Sequence, residues 1–188
     1  MKYQTIVVLG KPGSGKGTQA KLLSEKSGFH IFTASEYLKK LAQSHPVVGE
    51  HILNDMEQGI LVPHWIMSSL WITELMNLQR GEGIIFDGAV RKAEESEIFH
   101  EAMTWLGRPY IIIYLSVSEE ELRERLLKRA HTEGRVDDAD KTVTRRLEQF
   151  KENTEPSLAF FREKGTLLEI DGNRSVEEIH EDIMNQIG

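Results

Sequence analysis

The residues best suited to chemistry form one run near the N-terminus, Gly10-Lys11-Pro12-Gly13-Ser14-Gly15-Lys16-Gly17-Thr18. An apolar run ending at Leu9 leads into it and a helical pattern follows. Glycines let a backbone curl so that several N–H groups converge on one point, and phosphate oxygens are the natural ligand. The start of the following helix adds the positive end of its dipole. Lys16 supplies a compact cation for β- and γ-phosphates. A glycine-rich turn would explain the glycines alone, but not their spacing together with the lysine and the strand–loop–helix context. In the general pattern a hydroxyl residue follows the lysine directly. Here Gly17 intervenes, so a magnesium contact would fall to Thr18 one position later.

Handling phosphate needs cations beyond one lysine, since phosphoryl transfer is chiefly positioning and charge neutralisation. The chain has eleven arginines, and six lie within 123–146. Arg129 falls on the same helical face as Leu122 and Leu126, an awkward position for a merely solvated charge. Arg135 sits in a polar stretch and Arg146 on the helix after it. Arg123, Arg125 and Arg145 read as ordinary helix-surface charges, with Glu121 and Glu124 within pairing distance across turns. Asp87 ends an apolar strand, which puts a carboxylate at the carboxyl edge of a sheet, where it could hold magnesium through water. A capping role at the turn before Gly88 is the competing reading.

The elements that must position these residues are legible as an alternation. Strand-like runs are expected at Thr5–Leu9, Phe29–Thr33, Gly83–Phe86, Tyr110–Val117 and Thr166–Ile170. They are apolar throughout, as in a sheet covered on both faces. Helical patterns are expected at Gly15–Ser27, Glu36–Gln43, Val48–Gln58, Pro63–Leu78, Glu94–Leu106, Glu119–Arg129, Asp138–Lys164 and Val176–Gln186. This predicts an α/β fold of the P-loop NTPase type, a three-layer α/β/α sandwich with a five-stranded parallel sheet. Residues 1–188 read as one domain with two interruptions at 34–62 and about 130–137, positions suited to mobile flaps. Gly49, Gly59 and Gly134 are candidate hinges.

Composition sets limits on partners. The chain of 188 residues is 39% apolar with a net charge of −7, and its pI is near 5.5. An acidic surface argues against general binding to nucleic acid or acidic membranes. There are no cysteines, and the seven histidines are scattered without metal-ligand spacing. No apolar run reaches the roughly 18 residues of a membrane span, and residues 1–9 lack a signal peptide's features. A cytoplasmic, membrane-free protein is the expectation.

Gly13–Gln19, Gly-Ser-Gly-Lys-Gly-Thr-Gln, resembles the phosphate loop of adenylate kinases and the related UMP/CMP kinases. Gly59-Ile60-Leu61-Val62-Pro63 looks like that family's Gly-x-Leu-Val-Pro segment. Asp87-Gly88-Ala89-Val90-Arg91 stands where the family has Asp-Gly-Phe-Pro-Arg. Gly134-Arg135-Val136-Asp137-Asp138, Arg146-Leu147 and Thr154-Glu155-Pro156 are similar to the short-lid members, which lack a zinc-bearing lid. The resemblance implies ATP as donor, a nucleoside monophosphate as acceptor, Mg2+, and a monomer. It implies donor contacts from Gly13, Ser14, Gly15, Lys16, Gly17, Thr18, Arg129 and Gly172. It implies that Arg129, Arg135 and Arg146 close over the phosphates, that Arg91 grips the acceptor phosphate, and that the acceptor lies by Ala34, Lys39, Ile60, Val62 and position 95.

The acceptor side departs from the family. Threonine and arginine of its Ser-Thr-Gly-Asp-x-Leu-Arg stretch become Ala34 and Lys39. Lysine keeps the charge but loses the bidentate fork. Ala89-Val90 replaces Phe-Pro. The family's base-reading glutamine becomes Glu95, which when ionised only accepts hydrogen bonds and suits a base with two donors on one edge. The run Glu94, Glu95, Glu97 also reads as a solvated helix face. Three readings stay open: an adenylate kinase with an unusual acceptor pocket, a kinase for GMP, CMP or UMP, and a nucleotide-binding protein without catalysis. Retention of Lys16, Asp87, Arg91, Arg129, Arg135 and Arg146 favours the enzymes. The first prediction is that Arg135→Ala lowers turnover by ~10³-fold or more while the far-ultraviolet circular dichroism is unchanged. Unaltered turnover would remove that arginine from the mechanism.

Overall fold

The computed structural model describes residues 1–133 and 140–188, with side chains described for 1–126 and 143–188. Five strands form one parallel sheet: β1 (Thr5–Gly10), β2 (His30–Thr33), β3 (Ile84–Asp87), β4 (Tyr110–Ser116) and β5 (Leu167–Asp171). Their order is β2-β3-β1-β4-β5. β1 is central, with Thr5 in register with Ile84 on one side and Tyr110 on the other. The helices are α1 (Lys16–Ser27), α2 (Ala34–Ser44), α3 (Pro46–Glu57), α4 (His64–Asn77) and α5 (Ala93–Trp105). After β4 come α6 (Glu119–Glu133), α7 (Asp140–Gln149), α8 (Glu155–Glu163) and α9 (Val176–Ile187).

The apolar strand runs fill both faces of the sheet because successive side chains point to opposite sides. Ile6 and Val8 of β1 join Leu23 of α1 and Ile179 and Ile183 of α9 in one core. Val7 and Leu9 join the opposite core, built around Phe32, Trp71, Phe86 and Phe99. Phe99 is the hub there, with edge-on contacts to Trp71, Phe86, Tyr110 and Phe161 at centroid distances of 5.3–6.3 Å. Fully burying such a side chain contributes about 1.5–3 kcal/mol. The fold class expected from the sequence is the one found.

Arg108 fastens the end of the sheet away from the glycine loop. Its Nε donates to Thr5 Oγ1 at 2.6 Å, and its Nη2 donates to the carbonyls of Gln4 at 2.9 Å and Glu82 at 2.6 Å. One guanidinium therefore ties the starts of β1, β3 and β4 together, which fixes how the opposite ends of those strands emerge.

Three expectations need correction. The pattern over 138–164 reads as one helix, but the chain makes α7, then a π-helical turn at Phe150–Thr154, then α8. Pro156 is the reason. It has no N–H to continue the ladder, so it suits the first turn of a new helix and the turn before it widens. Gly49 is not placed as a hinge. A Cβ there would collide with the Ala42 carbonyl, so its role is to let α3 pack tightly on α2. Gly59, with φ of +71°, does end α3. Residues 130–133, expected in a polar loop, belong to α6, which runs to Glu133. Gly134 and Arg135 lie outside the described residues.

The loop after β3 carries an unusual backbone. Val90 has a φ of +59°, among the rarest conformations for a β-branched residue. Buried bonds hold it there. Ser157 of α8 donates to the Val90 carbonyl at 3.1 Å, and its Oγ lies 2.7 Å from Ser96 Oγ of α5. Val90, Ser96 and Ser157 are all fully buried. This lock sets the course of the chain into Arg91. Ser157→Ala is expected to lower stability by roughly 1–3 kcal/mol, the cost of an unsatisfied buried polar group, and to weaken acceptor binding more than ATP binding. Equal effects on both ligands would show that the lock does not act through Arg91.

Candidate active site

The sheet's central strand delivers the glycine loop. β1 ends at Gly10, the chain turns, and α1 starts at Lys16. Gly13 and Gly15 take φ of +83° and +87°, values that favour glycine. Gly13 also packs closely, since a Cβ there would meet Leu126 of α6 at 3.0 Å. The cap residue of α1 is Gly15, and no side chain caps the first turn. Its backbone N–H groups are thus left for an outside acceptor, the property that makes a helix start an anion site. Ser14 Oγ is buried without a hydrogen-bond partner among the described residues. At the other end of the same turn, Gln19 Nε2 donates to the Val176 carbonyl at 2.8 Å and anchors α1 to α9.

A cleft of about 1200 Å³ opens at the carboxyl ends of β1, β2 and β3. Gly13, Lys16 and Gly17 of the glycine loop form one of its walls. Asp87, the last residue of β3, faces this wall: a Cβ added to Gly17 would lie 3.3 Å from Asp87 Oδ2. The sequence expectation of a carboxylate beside the loop is met in space. Arg146 of α7 lines the cleft too, with Gln149 and Phe150.

The opposite wall is made by α2, the 59–62 segment and the start of α5. Ala34, Lys39, Ile60, Val62, Arg91 and Glu95 all line it, so the six expected acceptor residues are brought together. Its apolar part comes from Leu38, Met56 and Met67 as well. Two long-range contacts hold the 59–62 segment in place. Leu61 N–H donates to Gln149 Oε1 at 3.3 Å, and Lys92 Nζ donates to the Leu61 carbonyl at 3.5 Å.

Arg91 and Glu95 are the electrostatic feature of this wall. The Arg91 guanidinium lies against Gly88, where a Cβ would collide with it. Burial lowers its pKa, while the nearby Asp87 and Glu95 carboxylates oppose that shift. Glu95 is 3% exposed, so the reading of this residue as part of a solvated helix face is wrong. Its neighbours Glu94 and Glu97 are exposed. Glu95 Oε2 accepts from the Arg91 backbone N–H at 2.9 Å. Burial pushes its carboxyl up to about 7, although the Arg91 and Lys92 hydrogen bonds and charges pull the other way.

Other expected residues are not on the cleft lining. Thr18 is exposed, two residues into α1, where the helical turn has rotated it off the wall. Ser14 and Gly15 lie within the loop rather than on the wall. Gly172 instead packs under the end of β4, donating its N–H to the Ser116 carbonyl at 2.7 Å. Arg129 falls on α6 at a position whose side chain is outside those described, and Arg135 is outside the described residues altogether. Two residues escaped sequence reading. Arg125 makes the expected surface pair with Glu121 at 2.7 Å, but also donates to the Gly172 carbonyl at 2.9 Å. Gln149 follows Arg146 by three positions on one helix face, a spacing that could have flagged it.

The sequence model of the adenylate kinase family matches residues 8–166. An adenylate kinase from Thermus thermophilus is 35% identical over 186 residues, covering 98% of this chain and 97% of that protein. One from Azobacteroides pseudotrichonymphae is 34% identical over 183 residues, covering 97% and 96%. Adenylate kinase isoenzyme 1 of Homo sapiens is 30% identical over 187 residues, covering 99% and 95%. With a phosphate loop on one wall of the cleft, a buried arginine on the other and likeness along its whole length, the chain belongs to the adenylate kinase family of phosphotransferases.

Proposed function

We propose that the chain catalyses reversible transfer of the γ-phosphoryl group of ATP to AMP, giving two ADP, by direct in-line displacement. The observation that carries this is the two-walled cleft. A loop with uncapped backbone N–H groups and Lys16 stands on one side. Arg91, Lys39 and the apolar residues Leu38, Met56, Ile60 and Val62 stand on the other. Two nucleotides entering from opposite sides would meet phosphate to phosphate between them. Holding both reactants in line converts a bimolecular step into one within a complex, which accounts for much of the rate such enzymes achieve.

The loop and Lys16 bind the donor phosphates, and Arg91 with Lys39 holds the acceptor phosphate. Arg146 neutralises charge on the transferring group, and Arg129 and Arg135 join it as the 130–137 segment closes. Segment 34–62 closes on the acceptor. Closure excludes water, which would otherwise take the phosphoryl group. No carboxylate, thiol or imidazole forms a bond to phosphorus in this scheme.

The donor set fits Mg2+. Asp87 places an oxygen donor beside the loop, and no group of three or more His, Cys, Asp or Glu side chains that could hold a metal exists among the described residues. A cation held by one carboxylate, water and substrate phosphates is the usual state of protein-bound magnesium. Asp87 would hold it through water, with Thr18 a lesser contributor because of its exposure. When bound, the ion would offset phosphate charge.

No helix among the described residues is long and apolar enough to cross a membrane. A monomer in the cytoplasm is the state this proposal assumes.

The test is diphosphate formation from Mg·ATP with AMP, GMP, CMP, UMP and their deoxy forms. AMP should be turned over, and Arg91→Ala should lower kcat/KM by ~10³-fold or more. ATP binding without transfer to any monophosphate would overturn the proposal. Wild-type turnover in the alanine variant would remove Arg91 from the mechanism.

A further inference from the structure

The acceptor slot has apolar walls and one buried carboxyl. Leu38, Met56, Ile60, Val62 and Met67 supply flat apolar surface of the kind a purine ring stacks against. Glu95 is the nearly buried acid on this wall, and the Arg91 backbone N–H fixes one of its oxygens. Arg91 and Glu95 line the same cleft as these apolar residues, so on the proposed reading a nucleotide whose phosphate Arg91 grips would lay its base along the apolar surface beside Glu95.

A carboxyl in that position can present two different hydrogen-bonding faces. Neutral, it offers one O–H donor and one acceptor. That matches adenine, whose N1 accepts and whose 6-amino group donates. Ionised, it offers acceptors only. That matches guanine, whose N1–H and 2-amino group both donate. A mismatch leaves a buried polar group facing a like group, and sites built on buried hydrogen bonds discriminate strongly against such partners.

We infer that Glu95 reads the acceptor base through its own protonation state, taking adenine when neutral and guanine when ionised, so that acceptor choice shifts with pH. Burial already places the switch near neutrality in the free protein. The charges acting on Glu95 are those of Arg91 and Lys92, and both favour the ionised form. Around the cleft, among the described residues, stand Lys16 on α1, Lys39 on α2, Glu57 on α3, Asp87 on β3 and Arg146 on α7. Helix α4 contributes Met67, and α8 sets Ser157 against Ser96, so neither adds an ionisable group to the cleft wall. Adenine binding would draw the carboxyl's pKa higher still, and guanine binding would draw it down.

The sign follows. As pH rises through about 7, the form that accepts adenine is depleted and the form that accepts guanine accumulates. The phosphate ionisation common to both nucleotides cancels when their affinities are taken as a ratio.

This inference rests on the nucleoside monophosphate kinase reading, but binding tests it without transfer. AMP and GMP affinities would be measured by calorimetry, without ATP, at pH 6 and pH 8, for the wild type and Glu95→Gln. In the wild type the ratio of AMP to GMP affinity should fall by on the order of a hundredfold across that range, about tenfold for each pH unit. In Glu95→Gln it should be independent of pH and favour AMP. A ratio that does not change with pH in the wild type would overturn the inference, as would the same pH dependence in both proteins. Absence of phosphoryl transfer, with the binding ratio still shifting, would overturn the proposed activity and leave Glu95 as a base reader.

Discussion

The structure depends on β1 being enclosed on every side. Its residues Ile6 to Leu9 are 0–1% exposed, with β3 and β4 as neighbours and a separate apolar core on each face. A strand so placed cannot shift along its axis without breaking two registers and two cores together. The glycine loop therefore leaves the sheet at a fixed point. Asp87 is in register with Val8 on the adjacent strand, so the carboxylate is fixed against the same frame. Backbone N–H groups in a loop make a useful anion site only when their positions are rigid, and the sheet supplies that rigidity.

The acceptor wall is built differently. It draws on α2, the 59–62 segment, the loop after β3 and the start of α5, and it is stitched by hydrogen bonds between distant parts of the chain. Gln149 and Lys92 hold opposite sides of Leu61. Ser157 and Ser96 hold Val90. This wall is thus coupled to α7, which carries Arg146 and Gln149, and to α8, which carries Ser157. The divergence from the family also sits here, at Ala34, Lys39, Val90 and Glu95, while the donor wall keeps the family pattern. Under the proposed function, a change in what the cleft accepts that leaves the transfer machinery intact would fall in this half.

The sequence made the sheet legible because each strand is an apolar run long enough to cross a covered sheet, and because glycine and lysine spacing has one common structural outcome. Motifs singled out Ala34, Lys39, Ile60, Val62, Arg91 and Glu95, which the fold brings to one cleft. The sequence did not reveal that Glu95 is buried, because Glu94 and Glu97 on either side are exposed and a charge run carries no mark of which member turns inward. The π-helical turn was hidden for a related reason: Pro156 signals a break, but a π turn and a short loop have the same composition. Gly49 was misjudged because a glycine needed for close packing and one needed for movement look alike in sequence. Arg125 shows the limit of pair counting, since its surface bond to Glu121 conceals a second bond to Gly172.

The contact at Gly49 bears on how the acceptor wall could change shape. The absence of a side chain lets the backbone of α3 rest on the Ala42 carbonyl of α2, and only His45 separates the two helices. Such a pair behaves as a single stiff paddle. Its elbow is braced by that contact, so any rotation would take place where it joins the body, near Thr33 at one end and Gly59 at the other. A larger residue at position 49 would pry the paddle open and misplace Ala34, Leu38 and Met56 at a distance, although no atom of that residue would touch a nucleotide.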